Sequence, residues 1–259
     1  MPQPQAQTSD VASQTRECAA CGKAYVTRAY MLSGRRFVVH EPQCECAQQA
    51  EARRRDEEFR GRAISYLRVL EKDVGPRLWR DATFEGFVKT SENAEMLRAA
   101  QEYRADGHTR CLVLSGPSGC GKTRLALAVA RREIERLAIR AKFINATEFL
   151  RFLRGSFPSE ALDFIQLLKA TQLRSLDDLQ PLSDRERIDI LELLDARYRA
   201  EKALIITTNV RVQDFDAALG MQISSRLQDG IYSKVVQHAV LYFKERESYG
   251  AQNTSLGAD

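Results

Sequence analysis

The stretch Gly116–Thr123, with the sequence GPSGCGKT, constrains this chain more than any other part of it. It follows the apolar run Cys111–Leu114 and precedes a stretch in which Leu125, Val129 and Leu137 recur at roughly helical spacing. The order is strand, glycine-rich loop and helix. Glycines in such a loop let main-chain N–H groups converge on phosphate oxygens at a helix N-terminus, where the helix dipole also favours an anion. The spacing therefore predicts a nucleotide-binding P-loop rather than an ordinary turn before a helix.

The residues of this loop have separate expected roles. Lys122 is expected to reach the β and γ phosphates of ATP, and Thr123 is expected to bind Mg²⁺. The rest of the loop would surround the phosphates and consists of Gly116, Pro117, Ser118, Gly119, Cys120 and Gly121. ATP and Mg²⁺ are therefore the cofactors predicted for this part of the chain.

Length and charge limit the possible classes of protein. A chain of 259 residues can hold one sizeable domain and a smaller one. Its formal net charge of +4 permits binding to nucleic acid without arguing for it, because positive charge must be clustered to form a binding surface. No run approaches the roughly 18 apolar residues of a membrane span, and the first residues lack a signal-peptide pattern. We expect a cytoplasmic protein with no membrane partner.

Four of the six cysteines fall close together, at Cys18, Cys21, Cys44 and Cys46. In a reducing compartment such a cluster favours a metal site over disulfides. A CxxC turn followed by glycine aims two thiolates at one point, and a predicted β-hairpin between the pairs would bring all four together. The pattern predicts a structural Zn²⁺ site, with His40 as the alternative ligand. A closed four-thiolate site has no open position for catalysis, and metal binding would stabilise so small a module.

Composition divides the chain into five predicted segments. Residues 1–15 are polar and are predicted to form a disordered tail. Residues 16–48 form the zinc-binding module, and residues 49–75 form an amphipathic linker helix. Residues 76–247 form the nucleotide-binding domain, and residues 248–259 form a flexible C-terminal tail.

The nucleotide-binding domain alternates strands with helices. After the first strand and helix, further strands are predicted at 141–145, 173–179 and 203–208. Predicted helices lie at 148–153, 159–170 and from a capping box at Ser183 to about Ala200. Such alternation predicts an α/β fold with a parallel sheet and with the ligand at the carboxyl ends of the strands.

Several polar residues are candidates for catalysis of ATP hydrolysis. Asp177 is predicted to hold Mg²⁺ through water, and Asp178 to orient or deprotonate the attacking water. The preceding residues, Leu173–Leu176, are less apolar than a buried strand prefers, so a carboxylate pair in a loop is the alternative. Asn209 could contact the γ-phosphate or that water. Arg226 either stabilises the γ-phosphate bound to a neighbouring subunit or is a surface arginine on a helix.

These motifs together resemble one family. The P-loop, the Asp177–Asp178 pair, the stretch Asp195–Tyr198 before Thr207–Asn209, and the late Ser225–Leu227 are similar to those of AAA+ replicative helicase loaders of the DnaC and DnaI type. The IstB-type transposition ATPases share this core. The order and spacing of the motifs are the specific part, since each motif alone is common among AAA+ proteins.

The resemblance implies an AAA+ P-loop NTPase fold, with a parallel sheet flanked by helices, a reduced lid and a small N-terminal zinc-binding domain. It implies that Arg226 is the arginine finger and Asn209 the sensor 1 residue. Hydrolysis would be slow, because Arg174 and Ser175 stand where apolar residues are more usual in the family, and the resemblance also implies that DNA stimulates it. The implied partners are the replicative DNA helicase, single-stranded DNA and further copies of the chain. Candidate DNA contacts are Arg151, Phe152, Arg154 and Lys169, although residues of this stretch could instead pack the core.

Three functions follow from the sequence. The leading hypothesis is an ATP-dependent loader that delivers the replicative helicase onto single-stranded DNA during replication initiation or restart. The second is an IstB-like DNA-binding ATPase that assists a transposase. The third is a zinc-based adaptor whose nucleotide site only switches its shape, with negligible turnover.

Overall fold

The computed structural model describes residues 9–32, 35–41, 44–155 and 171–238. The chain forms two compact units, Met1–Gly61 and Arg62–Asp259. The division between them falls within a long helix, α1 (Cys46–Val74), which ends just before Gly75 as the Gly-Pro pair predicts.

The first unit contains a three-stranded antiparallel sheet in the order β1-β2-β3. Its strands are β1 (Ser9–Glu17), β2 (Ala24–Leu32) and β3 (Arg35–Glu41). Strands β2 and β3 pair from Val26 opposite Glu41 to Leu32 opposite Arg35, which confirms the predicted hairpin. The turn at 33–34 lies outside the described residues.

Strand β1 corrects the sequence analysis. The predicted disordered tail over residues 1–15 is wrong for residues 9–15, which belong to β1 and pair with β2. The side chains of residues 13–17 are exposed, so burial of apolar groups does not form this strand. The strand forms through backbone hydrogen bonds to β2, which the amino-acid composition of residues 9–15 does not reveal. Residues 1–8 lie outside the described part of the chain.

The second unit is built on a five-stranded sheet in the order β5-β6-β7-β4-β8, with every pairing parallel. The strands are β4 (Cys111–Ser115), β5 (Ala141–Asn145), β6 (Leu173–Leu179), β7 (Ala203–Thr208) and β8 (Ser233–Gln237). Strands β4 to β7 confirm the four predicted strands, whereas β8 was not predicted. Because all five run the same way, their carboxyl ends share one edge of the sheet.

Two helices precede these strands in the chain, and further helices and a 3-10 turn connect them. They are α2 (Pro76–Asp81), α3 (Ala94–Glu102), α4 (Lys122–Leu137), α5 (Ala146–Gly155), α6 (Asp184–Arg199), the turn Val212–Asp214, α7 (Phe215–Leu219) and α8 (Met221–Leu227). The capping box of α6 is present, since the Ser183 backbone N–H donates to Glu186 Oε2 over 2.9 Å. The predicted helix 159–170 lies outside the described residues. Among the helices that the structure describes, none is long and apolar enough to cross a membrane.

The main core of the second unit packs helices α5, α6 and α8 against one face of the sheet. Its buried members from the strands are Cys111, Val113, Leu176, Leu179, Leu204 and Ile206, and those from the three helices include Phe149, Leu150, Ile190, Leu194, Ile223 and Leu227. Alternate strand residues supply this face, as the period of two in a strand requires. The core thereby fixes the strand ends that carry the polar residues described below.

Strand β6 is a true sheet strand in spite of its polar sequence, so the loop alternative is wrong. It lies between β5 and β7 with Arg174 and Ser175 buried. The three guanidinium nitrogens of Arg174 have no hydrogen-bond partner among the described residues. Burial, and the positive charge of Arg197, lower the pKa of Arg174 to about 9. Arg197, by contrast, donates to the carbonyl oxygens of Thr171 and Gln172.

We predict that Arg174→Met stabilises the second unit. A buried charge without a hydrogen-bond partner among the described residues costs free energy, and even buried ion pairs can often be replaced by apolar side chains with no loss of stability or a gain of about 1–4 kcal/mol. The free energy of unfolding, measured by urea denaturation of the full chain, should therefore rise. The matched control is Arg151→Met, because Arg151 is exposed on α5 and its replacement should change stability by less than about 0.5 kcal/mol. A loss of stability in Arg174→Met would contradict this account of β6.

Candidate nucleotide site and cysteine cluster

The predicted P-loop lies between the end of β4 and the start of α4. Gly119 and Gly121 have positive φ angles of 81° and 95°, which residues with a Cβ adopt at a cost. A Cβ at Gly121 would lie 2.5 Å from a ring carbon of Phe87, so this glycine is also required for space. Conformation and packing together explain why glycine stands there.

A cavity of about 380 Å³ opens beside this loop. Its lining consists of Ser118, Gly119, Gly121, Lys122, Thr123, Arg124, Asn145, Asp177, Asp178, Thr207 and Asn209. The structure thus brings Lys122 and Thr123 together with three of the four residues predicted for catalysis. They meet because β4, β6 and β7 are neighbours in the sheet and end at the same edge.

The ammonium group of Lys122 is bound by oxygen atoms of the site. Its Nζ donates to the carbonyl oxygens of Gly116 and Pro117 and to Asn209 Oδ1, and each of the three donor–acceptor distances is 2.8 Å. Burial lowers the pKa of Lys122, while Cys120, Asp178 and Asp177 act in the opposite direction. The lysine therefore lies at the base of the cavity, where phosphate oxygens could replace some of these acceptors.

Asp177 accepts hydrogen bonds from two threonines. Thr123 Oγ1 donates to Asp177 Oδ1 over 2.9 Å, and Thr207 Oγ1 donates to the same oxygen over 2.7 Å. Burial raises the pKa of Asp177, and these two hydrogen bonds oppose that shift. A hydroxyl and a carboxylate facing each other are the hard oxygen ligands that Mg²⁺ prefers. Thr123 and Asp177 therefore fit the metal role predicted for them.

Asp178 is held by three hydrogen bonds in a strained backbone conformation. Its φ angle is +58°, in the left-handed region that non-glycine residues rarely adopt. Its N–H donates to Thr207 Oγ1 over 2.9 Å, and Asn209 Nδ2 donates to its Oδ1 over 3.0 Å. Gln180 Nε2 donates to the same Oδ1. This geometry fixes the carboxylate in the lining of the cavity, as the proposed role in orienting water requires.

Sequence reasoning missed two residues of this network, Thr207 and Gln180. Thr207 joins the two carboxylates, because its hydroxyl group donates to Asp177 and accepts from the N–H of Asp178. Its place two residues before Asn209, at the end of a buried strand, was the available signal. The sequence gave no signal for Gln180, since a bulge shifts the register of β6 between Leu176 and Leu179, just before this residue.

The segment before the P-loop is tied to helix α4 by Arg124. Its Nε donates to the carbonyl oxygen of Asp81 over 3.1 Å, and its Nη2 donates to that of Gly86 over 3.0 Å. The guanidinium carbon also lies 6.0 Å from the centre of the Phe87 ring. The lead-in segment is therefore part of the wall around the P-loop.

Arg226 does not line this cavity. It lies on α8, where its Nε donates to Asp195 Oδ1 over 2.9 Å and its guanidinium carbon is 5.6 Å from the centre of the Tyr198 ring. The fourth predicted catalytic residue is thus placed apart from Asp177, Asp178 and Asn209. Action on a neighbouring subunit and a plain surface position both fit this placement.

The predicted DNA-contacting stretch is described only in part. Phe149 is buried in the core, as the packing alternative expects, and Phe152 on the same helix is 39% exposed. Arg154 forms an ion pair with Glu186 over 2.7 Å. Lys169 lies outside the described residues.

The four N-terminal cysteines form one cluster. The sulfur atoms of Cys18, Cys21, Cys44 and Cys46 all lie within 4.8 Å of one another. A tetrahedral zinc site with Zn–S bonds of 2.3 Å places its sulfurs about 3.8 Å apart, so the cluster is compatible with that metal. Backbone N–H groups of Ala20 and Cys21 lower the pKa of Cys18 to about 7, whereas a hydrogen bond with Cys21 raises the pKa of Cys46 to about 12, so the case for a metal rests on the sulfur positions. The side chain of His40 lies outside the described residues.

Fold and site together define the class of this protein. A parallel sheet in this strand order, a P-loop after β4, paired carboxylates on β6 and an asparagine after β7 characterise the AAA+ P-loop ATPases. Residues 94–257, more than half of the chain, match the family of IstB-like ATP binding proteins. The chain belongs to this ATPase family.

A curated relative agrees with this assignment. The chain is 30% identical over 138 residues to the insertion sequence ATP-binding protein y4pL of Sinorhizobium fredii. The aligned residues cover 52% of this chain and 54% of y4pL. The chain thus spans about half the length of this curated relative.

Two solved structures share the fold at lower identity. The structure of the DnaC helicase loader superposes on this chain with a TM-score of 0.54 and 22% sequence identity. The superposition covers 63% of this chain and 99% of the DnaC chain. The replication initiator DnaA, bound to AMPPCP and single-stranded DNA, is 21% identical with a TM-score of 0.53, covering 68% of this chain and 57% of that chain.

We predict that Lys122→Ala weakens ATP binding by roughly ten- to 150-fold, because hydrogen bonds to charged groups contribute about 1.5–3 kcal/mol. Equilibrium titration with a fluorescent ATP analogue measures the change. The control is Lys89→Ala, which removes the same charge from an exposed position outside the cavity. Unchanged affinity in Lys122→Ala would show that the cavity is not the ATP site.

Proposed function

We propose that this protein is an ATP-dependent loader that delivers the replicative DNA helicase onto single-stranded DNA. The observation that carries the proposal is the presence of two units in one chain, an AAA+ ATPase and a separate module with four clustered cysteines. A module outside the ATPase can bind a partner while the ATPase responds to nucleotide and DNA. The fold shared with the DnaC helicase loader supports this function. A protein with this function would act in the cytoplasm, where the helicase and the DNA are found.

In this proposal the cavity beside the P-loop hydrolyses ATP. Lys122 contacts the terminal phosphates, and Thr123 and Asp177 hold Mg²⁺, which neutralises charge on the phosphates. Asp178 orients the attacking water and accepts its proton, and Asn209 contacts that water or the γ-phosphate. The hydrogen bonds from Asn209 and Gln180 to Asp178 support this assignment, because they fix the carboxylate before ATP binds.

Arg226 acts in trans in this proposal. An arginine that stabilises the γ-phosphate bound to a neighbouring subunit makes hydrolysis depend on assembly. Its position on α8, outside the cavity of its own chain, supports such a role. Loading onto DNA would then complete the active sites by bringing several copies together.

The cysteine module contacts the helicase, with Zn²⁺ bound by Cys18, Cys21, Cys44 and Cys46. Strand β3 supports this role, since Phe37, Val38 and Val39 are each exposed by more than two-fifths. Successive strand residues point to opposite faces, so this edge strand exposes apolar groups on both faces. Exposed apolar edges of this kind favour contact with another protein.

Single-stranded DNA is the second partner in this proposal. The fold is shared with DnaA, whose solved structure contains single-stranded DNA. Helix α5 carries Arg151 and Phe152, both exposed, which suit contact with phosphate and base respectively.

The second candidate is an ATPase that assists a transposase on duplex DNA. The family match and the relative named as an insertion sequence ATP-binding protein favour it. No described feature favours the adaptor with negligible turnover, because Asp178 and Asn209 meet in the cavity as hydrolysis requires.

We predict that capture of the helicase depends on zinc in the cysteine module. The purified full chain should contain about one Zn²⁺ and should retain the replicative helicase of its host cell in a pull-down with ATP. The double variant Cys18→Ser and Cys21→Ser should lose both zinc and helicase, because the metal stabilises the module. Its affinity for ATP should stay unchanged, since the ATPase unit has its own core.

The matched control is Lys23→Ser, which alters an exposed neighbour and keeps the carbonyl oxygen that accepts from the Cys18 N–H. Helicase capture by zinc-free protein would contradict the role of the metal. Absence of helicase capture by zinc-loaded wild type, together with ATP-dependent assembly on duplex DNA, would favour the transposition ATPase instead.

A further inference from the structure

The guanidinium group of Arg226 is anchored at one end only. Its Nε donates to Asp195 Oδ1 over 2.9 Å, while no hydrogen bond from Nη1 or Nη2 is present among the described residues. The side chain of Arg226 is 44% exposed and that of Asp195 is 26% exposed. The two terminal nitrogens, which form the fork that binds phosphate oxygens, are therefore available to an outside ligand.

A pair of tyrosines supports the same guanidinium. The ring of Tyr198 lies 5.6 Å from the guanidinium carbon of Arg226, within the range of a cation–π contact. Tyr198 in turn packs on Tyr232, with the ring centres 4.6 Å apart. Tyr232 is held by a hydrogen bond from its hydroxyl group to the carbonyl oxygen of Lys202, over 3.1 Å. The arginine therefore rests on a fixed aromatic surface.

The backbone of Arg226 is fixed as well. Ser233 Oγ, at the start of β8, donates to the carbonyl oxygen of Arg226 over 2.9 Å. The side chain borders an open recess of about 620 Å³ that also contains Asp216 and Asp229. Three elements, α6, α8 and β8, thus determine where the guanidinium group stands.

We propose that Asp195 and Tyr198 are positioning residues that hold Arg226 in the orientation in which it reaches the nucleotide of a neighbouring subunit. This inference rests on the proposed action of Arg226 in trans. A free arginine side chain samples many rotamers, and one that is held in place loses less entropy when it binds phosphate. Asp195 is suited to this task because it engages Nε and leaves the terminal fork unoccupied.

The rival role for Asp195 is to mask the finger. A carboxylate that masked the arginine would occupy the terminal nitrogens, whereas the hydrogen bond here is made by Nε. The two roles predict opposite effects, since loss of a positioning residue lowers hydrolysis in trans and loss of a mask raises it.

The experiment mixes two kinds of full-length subunit. The donor carries Lys122→Ala, which leaves its own site poorly occupied at an ATP concentration that saturates the intact site, but it still supplies Arg226. The acceptor carries Arg226→Ala, so it supplies an intact site but no finger. Mixed assemblies on single-stranded DNA should recover ATP hydrolysis, because an intact site can meet an intact finger.

Asp195→Ala is then introduced into either subunit. In the donor it should lower hydrolysis by the mixture roughly 10- to 100-fold, as displacement of a catalytic group by about 1 Å typically does. In the acceptor it should change nothing, because that subunit has no finger to position. A general structural defect would instead lower hydrolysis from both positions.

Two further sets of variants complete the test. Asp216→Ala in the donor is the matched control, because it removes a carboxylate from the same recess and Asp216 forms no side-chain bond to Arg226 among the described residues. Tyr198→Phe in the donor should keep activity because the ring remains, whereas Tyr198→Leu should lower it. Size-exclusion chromatography confirms that each mixture assembles.

Full or increased hydrolysis with Asp195→Ala in the donor would overturn the positioning role. If the mixture of donor and acceptor without further changes recovers no activity although it assembles, the proposed action in trans fails, and this inference fails with it. Recovery in that mixture without sensitivity to Asp195 would overturn the positioning role alone and leave the finger in place.

Discussion

The hydroxyl group of Thr207 joins the two carboxylates on which the ATPase site depends. It donates to Asp177 and accepts from the backbone N–H of Asp178, so one side chain of β7 fixes both carboxylates of β6. Parallel pairing of β6 with β7 and of β7 with β4 then brings these carboxylates to the P-loop. The sheet order is therefore the physical basis of the site, since a different neighbour for β6 would separate the carboxylates from Lys122 and Thr123.

The two units of the chain differ in the residues that they bury and bring together. The ATPase unit buries an apolar core large enough to retain a buried arginine on β6. The N-terminal unit has a small sheet with many exposed side chains and four clustered thiols, an arrangement compatible with a metal that would add stability.

Local patterns in the sequence were enough to predict most of the ATPase fold and site. Glycine spacing identified the P-loop, apolar runs identified three strands, the alternation of elements placed β6 in spite of its polar sequence, and strand ends suggested Asp177, Asp178 and Asn209 as candidate site residues. The rest depends on long-range pairing. Strand β1 forms through backbone hydrogen bonds to β2, whereas its polar composition suggested disorder. The contact of Arg226 with Asp195 joins residues 31 positions apart in the sequence. Gln180 donates to Asp178 next to a register shift in β6 that the sequence does not signal.

The central claim is that the cavity beside the P-loop hydrolyses ATP with Asp178 as the residue that activates water. The most direct measurement compares ATP affinity and DNA-stimulated turnover in wild type and Asp178→Asn. The amide keeps the size of the carboxylate and should leave ATP affinity within a few fold. It cannot accept a proton, so turnover should fall by about 10²- to 10⁴-fold, as loss of a general base does. Turnover close to that of wild type would contradict the claim.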